Sequence, residues 1–247
     1  MRVFPRVVAL ALILISAVTV PLAMAGFDAS QRAEIVSIIR EAMKTDPSIL
    51  KDAIAALQAD EGERERNLAR DTLASVRGRL VSAEDPVAGN PDGDVTIVEF
   101  FDVRCPYCKR IEPAMAQFLA SDKKVKLVYK DLPILGAAST LGSKALLAAH
   151  RQRGYEAFRT AVMKIPSDIT MASLEGVAKK QGLDWARMVR DMEDAGVRQQ
   201  IERNLELAHI LNIQGTPALI IGDEVVPGAI DAADMAKLVA AARRAKG

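Results

Sequence analysis

Residues 95–120 contain the sequence VTIVEFFDVRCPYCKRIEPAMAQFLA, and this stretch decides the fold. Its first seven residues are mostly β-branched or aromatic, which predicts a buried strand. From Pro106 onward apolar residues recur at helical spacing, which predicts a helix. The only two cysteines of the chain, Cys105 and Cys108, therefore lie where a strand ends and a helix begins.

This position favours redox chemistry. Pro106 suits the first helical residue, which places Cys105 at the N-cap. Free backbone N–H groups and the positive end of the helix dipole stabilise a thiolate there, so Cys105 is the expected nucleophile. Cys108 lies one turn further along the inner side and is expected to resolve the mixed disulfide. Pro106 and Tyr107, between the cysteines, are expected to tune the pair.

Two other uses of the pair are weaker. A Cys105–Cys108 bridge closes a very small loop, so it adds little stability as a staple. A structural zinc site needs four ligands, and His150 and His209 lack the short spacing that accompanies a CxxC. Two adjacent soft thiolates do suit Cu(I). We expect no cofactor and no metal, apart from Cu(I) at this pair as an alternative role.

The N-terminus predicts export. Residues 1–25 have two arginines among the first six residues, continue with an apolar run and end with small residues, which predicts a secretory signal peptide cleaved after Ala25. An uncleaved anchor is the alternative, because the apolar run approaches the ~20 residues that span a bilayer. The expected location is the periplasm. The chain of 247 residues is half hydrophobic with a net charge of +1, so no nucleic acid partner is expected.

Residues 89–247 resemble the DsbA branch of the thioredoxin superfamily. The resemblance depends on the strand, the CPYC at a helix start, the later GTPALIIGD at residues 215–223 and the helical stretch between them. It implies an α/β thioredoxin fold with an inserted helical domain at about residues 137–212. An all-helical N-terminal arm is expected to precede this fold.

The resemblance also assigns roles to three further residues. Pro217 matches the family's cis-proline, and with Thr216 it would bind an extended substrate peptide. An ordinary turn before the next strand is the alternative. Glu99 matches the family's buried acid and would relay the proton that Cys108 loses. A carboxylate paired with a neighbour such as Lys130 is the alternative for Glu99.

The region before the catalytic domain has its own pattern. Residues 26–58 predict two short helices with apolar faces, separated by a break at residues 45–47. Residues 59–67, ADEGERERN, interrupt the apolar pattern with charges, and we interpret residues 59–88 as a charged hinge and linker helix. This arrangement is similar to ScsC-type proteins, whose N-terminal arm forms oligomers, trimers in studied relatives. The alternative is an arm that covers the sheet of its own domain.

The resemblance predicts a protein disulfide oxidoreductase, with a disulfide isomerase or reductase preferred. Thr216 supports this preference, because strongly oxidising family members tend to have valine there. The expected partners are misfolded or cysteine-containing secreted proteins, a membrane redox partner and other copies of the chain, preferably in a trimer. A DsbA-type dithiol oxidase and a periplasmic Cu(I)-binding protein in copper tolerance are the alternative functions.

Overall fold

The structure is a computed structural model that describes residues 27–166 and 168–246. The signal peptide predicted for residues 1–25 and its cleavage site lie outside these residues. The chain divides into two compact units, with the break between Ala59 and Asp60. Across the described ranges, no helix is both long and apolar enough to cross a membrane.

The first unit consists of helix α1 (Ala29–Thr45) and the beginning of helix α2 (Ser48–Val76). Asp28 caps α1 by accepting a hydrogen bond from the Gln31 N–H at 2.9 Å, and the Gln31 side chain accepts one from the Asp28 N–H at 3.0 Å. The predicted break between two helices is confirmed. No residue of α1 is buried, so its apolar side chains face outward.

Helix α2 continues without interruption through the charged segment 59–67. Charges interrupt the apolar pattern there, but glutamate, arginine and alanine all favour a helix, and Gly62 is the one weak helix former of the segment. The end of α2 belongs to the second unit. Its buried residues, Leu73 and Val76, pack beneath the sheet together with Leu80.

The second unit contains one five-stranded sheet in the order β1-β3-β2-β4-β5. Its strands are β1 (Val87–Gly89), β2 (Val95–Phe101), β3 (Val125–Asp131), β4 (Ala218–Ile221) and β5 (Glu224–Pro227). Strands β2 and β3 are parallel, and the other neighbouring pairs are antiparallel. The predicted strands and the final hairpin are confirmed. Strand β1 was not predicted from the sequence. The domain boundary expected at residue 89 falls inside this strand.

Helices cover both faces of this sheet. Those that follow β1 are α3 (Pro106–Ser121), α4 (Ala137–His150), α5 (Tyr155–Met163), α6 (Met171–Lys180), α7 (Trp185–Met192), α8 (Ala195–Ile210) and α9 (Ala232–Lys246). Helices α4 to α8 occupy the predicted insertion at residues 137–212, with the expected breaks between them. The architecture is therefore the α/β fold with a helical insertion that the sequence predicts.

Alternate residues of β2 enter two different cores. Ile97 and Phe101 lie in the core that includes α3, α9 and much of the insertion. Val98 and Phe100 lie in the core on the other face, with the end of α2 and part of α8. Glu99 is also buried. It lies between Val98 and Phe100 in sequence, but its side chain is on the sheet face of Ile97 and Phe101.

Helix α4 approaches the loop between β2 and α3 very closely. A Cβ atom at Gly142 would lie 2.6 Å from Cγ2 of Val103, which is closer than real Cβ contacts. Both residues are buried. A glycine at this position therefore lets the insertion pack directly on the segment that leads to Cys105.

Candidate active site

Cys105 is the N-cap residue of α3, and Pro106 occupies the first turn, as predicted. The Cys105 N–H donates to the Asp102 carbonyl oxygen at 3.0 Å, and its own carbonyl accepts from the Lys109 N–H at 3.1 Å. The residue is 5% exposed. Its sulfur therefore lies at the positive end of the α3 dipole.

Cys108 is fully buried, one turn further into α3. Burial raises the pKa of the Cys108 thiol strongly, because a thiolate loses its hydration there. The nearby charges of Cys105 and Glu99 raise this pKa further, whereas hydrogen bonds from the Asp102 backbone and the Thr216 side chain lower it. The two cysteines are therefore unequal, and Cys108 needs a proton acceptor before it can react.

The loop before β4 faces the cysteines. The Thr216–Pro217 peptide bond is cis, as the family resemblance implies. The Cys105 thiol donates a hydrogen bond to the Thr216 carbonyl oxygen, with Sγ and O 3.1 Å apart. The fold therefore brings together two segments that are 111 residues apart in sequence.

Glu99 lies beneath this pair, 1% exposed on β2. Burial raises the pKa of its carboxyl group to about 7, and the charge of Glu112 adds to this increase. The Arg159 guanidinium lowers the same pKa, but it does not offset burial. A carboxyl group with a pKa near neutrality is able both to accept and to return a proton under physiological conditions.

The charged partner of Glu99 is Arg159 of α5, and their nearest atoms, Nη2 and Oε2, are 3.4 Å apart. The alternative of a paired Glu99 carboxylate is therefore confirmed, but the suggested partner, Lys130, is wrong. Lys130 pairs with Phe100 in the β2–β3 register, whereas Glu99 pairs with Tyr129, so the two charges lie on opposite faces of the sheet. Lys130 instead forms a buried ion pair with Asp85, with Nζ and Oδ2 2.6 Å apart.

Three cations surround the CPYC segment. Arg104 donates to the Leu135 carbonyl at 2.7 Å and forms an ion pair with Asp168 at 3.0 Å. Lys109 donates to the Ile165 carbonyl at 2.9 Å. Arg110 lies over the ring of Tyr107, which is 55% exposed. Arg104 and Lys109 therefore connect the active-site segment to the insertion.

The thiols are the candidate soft ligands of this site. Within residues 27–166 and 168–246, no group of three or more His, Cys, Asp or Glu side chains is placed to hold a metal ion. Any metal at this site would therefore depend chiefly on Cys105 and Cys108.

Sequence reasoning missed two residues of the site. Asp102 is buried at the end of β2, and its carboxylate accepts hydrogen bonds from the Arg104 and Leu135 N–H groups at 2.8 and 3.0 Å. Aspartate side chains commonly accept a hydrogen bond from the backbone N–H two residues later, which forms a turn. An aspartate directly after a predicted strand was therefore a usable signal in the sequence. Arg159 also gave a signal, since it lies at the apolar spacing of α5.

A dithiol at a helix start, facing a cis-proline loop and a buried acid, defines a thiol-disulfide exchange site on a thioredoxin fold. Residues 81–241 match the family model described as Thioredoxin. The match covers more than half of the chain, so the chain belongs to this family.

Relatives narrow the class further. A thioredoxin-like oxidoreductase from Silicibacter pomeroyi is 39% identical with a TM-score of 0.65, covering 66% of this chain and 94% of that one. ScsC from Proteus mirabilis, in a linker-deletion variant, is 28% identical with a TM-score of 0.66, covering 90% and 99%. DsbA of Bordetella parapertussis is 26% identical over 162 residues, which are 61% of this chain and 74% of that protein. The protein is thus a thiol-disulfide oxidoreductase of the DsbA and ScsC type.

Two further comparisons add detail. Proteus mirabilis ScsC has been crystallised in compact and transitional conformations. The chain also matches the Na⁺/H⁺ antiporter NhaA 3 of Salinispora tropica, with 26% identity over 170 residues. That match spans 66% of this chain and only 26% of the antiporter's length.

In the reduced protein, iodoacetamide should modify Cys105 at least roughly ten times faster than Cys108, because burial raises the pKa of the Cys108 thiol and leaves little thiolate to react. The rates are measured by mass spectrometry on the Cys105→Ser and Cys108→Ser variants, each with one thiol left. Equal rates would contradict the asymmetry described above.

Proposed function

We propose that this protein is an exported disulfide isomerase or reductase that acts on misfolded, cysteine-containing secreted proteins. The observation that carries the proposal is the exposed apolar face of the N-terminal arm. Ile38 is 61% exposed and Ile54 is 45% exposed within two helices of the first unit. Other copies of the same chain would cover these side chains, and we favour a trimer.

An oligomer of dithiols suits isomerisation. Several reactive thiols held around one client raise the effective thiol concentration without any new contact. The similarity to Proteus mirabilis ScsC supports this proposal, because it covers 90% of the chain and so includes part of the arm. The proposed location is the periplasm, where a membrane redox partner would keep the cysteines reduced.

The proposed cycle begins with the Cys105 thiolate. Its sulfur attacks one sulfur of a client disulfide, and the other client sulfur leaves as a thiolate. A client thiolate then attacks the client sulfur and releases Cys105 as a thiolate, which completes isomerisation. In the second route Cys108 attacks the Cys105 sulfur, and the client leaves reduced. Thr216 and Pro217 would hold an extended client segment beside Cys105, since the Thr216 carbonyl lies 3.1 Å from its sulfur.

Glu99 would act in the second route. The Cys108 thiol transfers its proton to the Glu99 carboxylate, and the Cys108 sulfur attacks Cys105. The bond between Cys105 and the client breaks, and the client sulfur leaves as a thiolate. A Cys105–Cys108 disulfide forms, and the two electrons that the dithiol loses reduce the client disulfide.

The oligomer is tested with the triple variant Ile38→Ser, Ile39→Ser, Ile54→Ser. It should become monomeric and lose isomerase activity by roughly several-fold, because separate dithiols no longer act on one client. Analytical ultracentrifugation gives the mass, and reactivation of scrambled ribonuclease gives the activity. The control, Glu34→Ser with Glu41→Ser, also alters exposed residues of α1 and should keep both properties.

Two outcomes would contradict this proposal. An unchanged mass in the triple variant would exclude the arm as the interface between copies. No reactivation by the wild type, together with rapid oxidation of reduced ribonuclease by the oxidised protein, would identify a DsbA-type oxidase.

The hinge proposed at residues 59–67 is tested at Gly62. A glycine inside a helix weakens it by about 0.5–1 kcal/mol relative to alanine. Among the residues that the structure describes, an added Cβ would meet Arg66 Nη1 alone, at 3.4 Å, so Gly62→Ala should stiffen α2 without a clash. We expect this variant to keep its insulin reductase rate and to lose part of its isomerase rate. An unchanged isomerase rate would count against a hinge at this position.

The role of Glu99 is tested by mixing reduced protein with dithiobis(nitrobenzoate), which releases one chromophore as Cys105 reacts and a second as Cys108 resolves the mixed disulfide. Glu99→Gln should slow the second release roughly 100-fold and remove its rise near pH 7, because general base catalysis is lost. The first release should not change. Equal second rates in both proteins would exclude the relay.

A further inference from the structure

Arg159 is shared between two carboxylates on different elements. Its Nη1 lies 2.6 Å from Oε1 of Glu112 on α3, and its Nη2 lies 3.4 Å from Oε2 of Glu99 on β2. The contact with Glu112 is therefore the shorter one. The Oε1 atom of Glu99 has no hydrogen-bond partner among the described residues.

Two aromatic rings fix the guanidinium in this position. Its central carbon lies 4.3 Å from the ring centroid of Phe101 and 4.1 Å from that of Tyr129. Arg159 is only 2% exposed, so it has little freedom to follow one carboxylate at the expense of the other. The cation is therefore held at a fixed point between the two acids.

Several other groups share this buried layer. Cys108 of α3 and Tyr129 of β3 interact electrostatically with Glu99. Two residues along β3, Asp131 accepts a hydrogen bond from the Tyr155 hydroxyl of α5 at 2.9 Å. The β4 neighbour of Glu99 is the apolar Leu219. Arg159 and Glu112 are thus the ionised side chains that act on Glu99 most directly.

We propose that Arg159 and Glu112 are positioning residues that set the pH at which Glu99 accepts the proton of Cys108. This inference rests on the relay proposed above for Glu99. Arg159 favours the Glu99 carboxylate, and Glu112 opposes this effect by its own negative charge, because it lies closer to the same guanidinium. The helical insertion thereby takes part in the chemistry of the dithiol through one side chain of α5.

The two residues should affect the reaction in opposite directions. Without the Arg159 charge, the Glu99 carboxylate is less stable, so a higher pH is needed before it accepts the proton. Without the Glu112 charge, the carboxylate is more stable because a repelling charge is gone and the fixed guanidinium faces Glu99 alone, so a lower pH suffices. A purely structural role would not produce opposite shifts.

The experiment uses the full chain and the two-step reaction with dithiobis(nitrobenzoate), followed from about pH 5 to about pH 9. Arg159→Met should move the midpoint of the second release up by about one pH unit, and Glu112→Gln should move it down by roughly half a unit. Arg159→Lys keeps the charge and should restore the midpoint most of the way. The rate of the first release should stay within about two-fold in all three variants.

The matched control is Asp122→Asn. Asp122 is also on the α3 segment, at its C-cap, and its side chain pairs with an arginine and is 21% exposed, against 24% for Glu112. It should leave the midpoint unchanged. Circular dichroism establishes that each variant is folded. If Arg159→Met does not fold, Glu112→Gln decides the question alone, because its carboxylate is partly exposed.

The outcomes separate this inference from the relay. Suppose that Glu99→Gln slows the second release, so the relay holds. The inference is then overturned if the midpoint stays fixed in Glu112→Gln and Arg159→Met, or if it moves in the same direction in both variants. If Glu99→Gln has no effect on the second release, the relay itself fails, and the inference fails with it.

Discussion

The buried ion pair between Arg159 and Glu99 constrains the rest of the second unit. Removing two charges from water costs several kcal/mol for each ion, and only close pairing and packing offset that cost. Arg159 belongs to the insertion, whereas Glu99 belongs to the sheet. Helix α5 must therefore stay packed over β2 and β3, with the rings of Phe101 and Tyr129 against the guanidinium.

The same constraint explains why the active site has two different cysteines. The start of α3 is open to the Thr216–Pro217 loop, but one turn later the helix is closed over the layer that holds Glu99 and Arg159. Cys105 thus lies at the helix dipole, and Cys108 lies in a medium of low polarity that disfavours its thiolate. A difference of one helical turn gives one sulfur that starts exchange and one that needs a base.

Much of this arrangement was predictable from local sequence. The strand at residues 95–101, the cap at Cys105 and the insertion breaks follow from strand, cap and turn preferences that act over a few residues. The alternation along β2 correctly placed Glu99 on the same face as Ile97 and Phe101. The cis bond at Pro217 followed from family resemblance and is present.

What could not be predicted depends on tertiary register. Lys130 is one residue from Tyr129, and only the pairing of β3 with β2 decides which of them lies beside Glu99. Arg159 is separated from Glu99 by 60 residues and three intervening elements, so its spacing indicated burial but not its partner. Strand β1 has three residues, too few to show a period of two. It pairs with β3, which lies about 40 residues later in the sequence, so local sequence does not reveal this pairing.

The N-terminal arm raises a separate question of stability. Helix α1 has 17 residues, and most helical stability in proteins comes from packing an apolar face rather than from propensity. No residue of α1 is buried, so the described unit does not supply that packing. The capping box at Asp28 satisfies the end of the helix but contributes only about 1 kcal/mol. The arm therefore needs a partner for reasons independent of the catalytic site, because the stabilising contacts of α1 must come from outside its own unit.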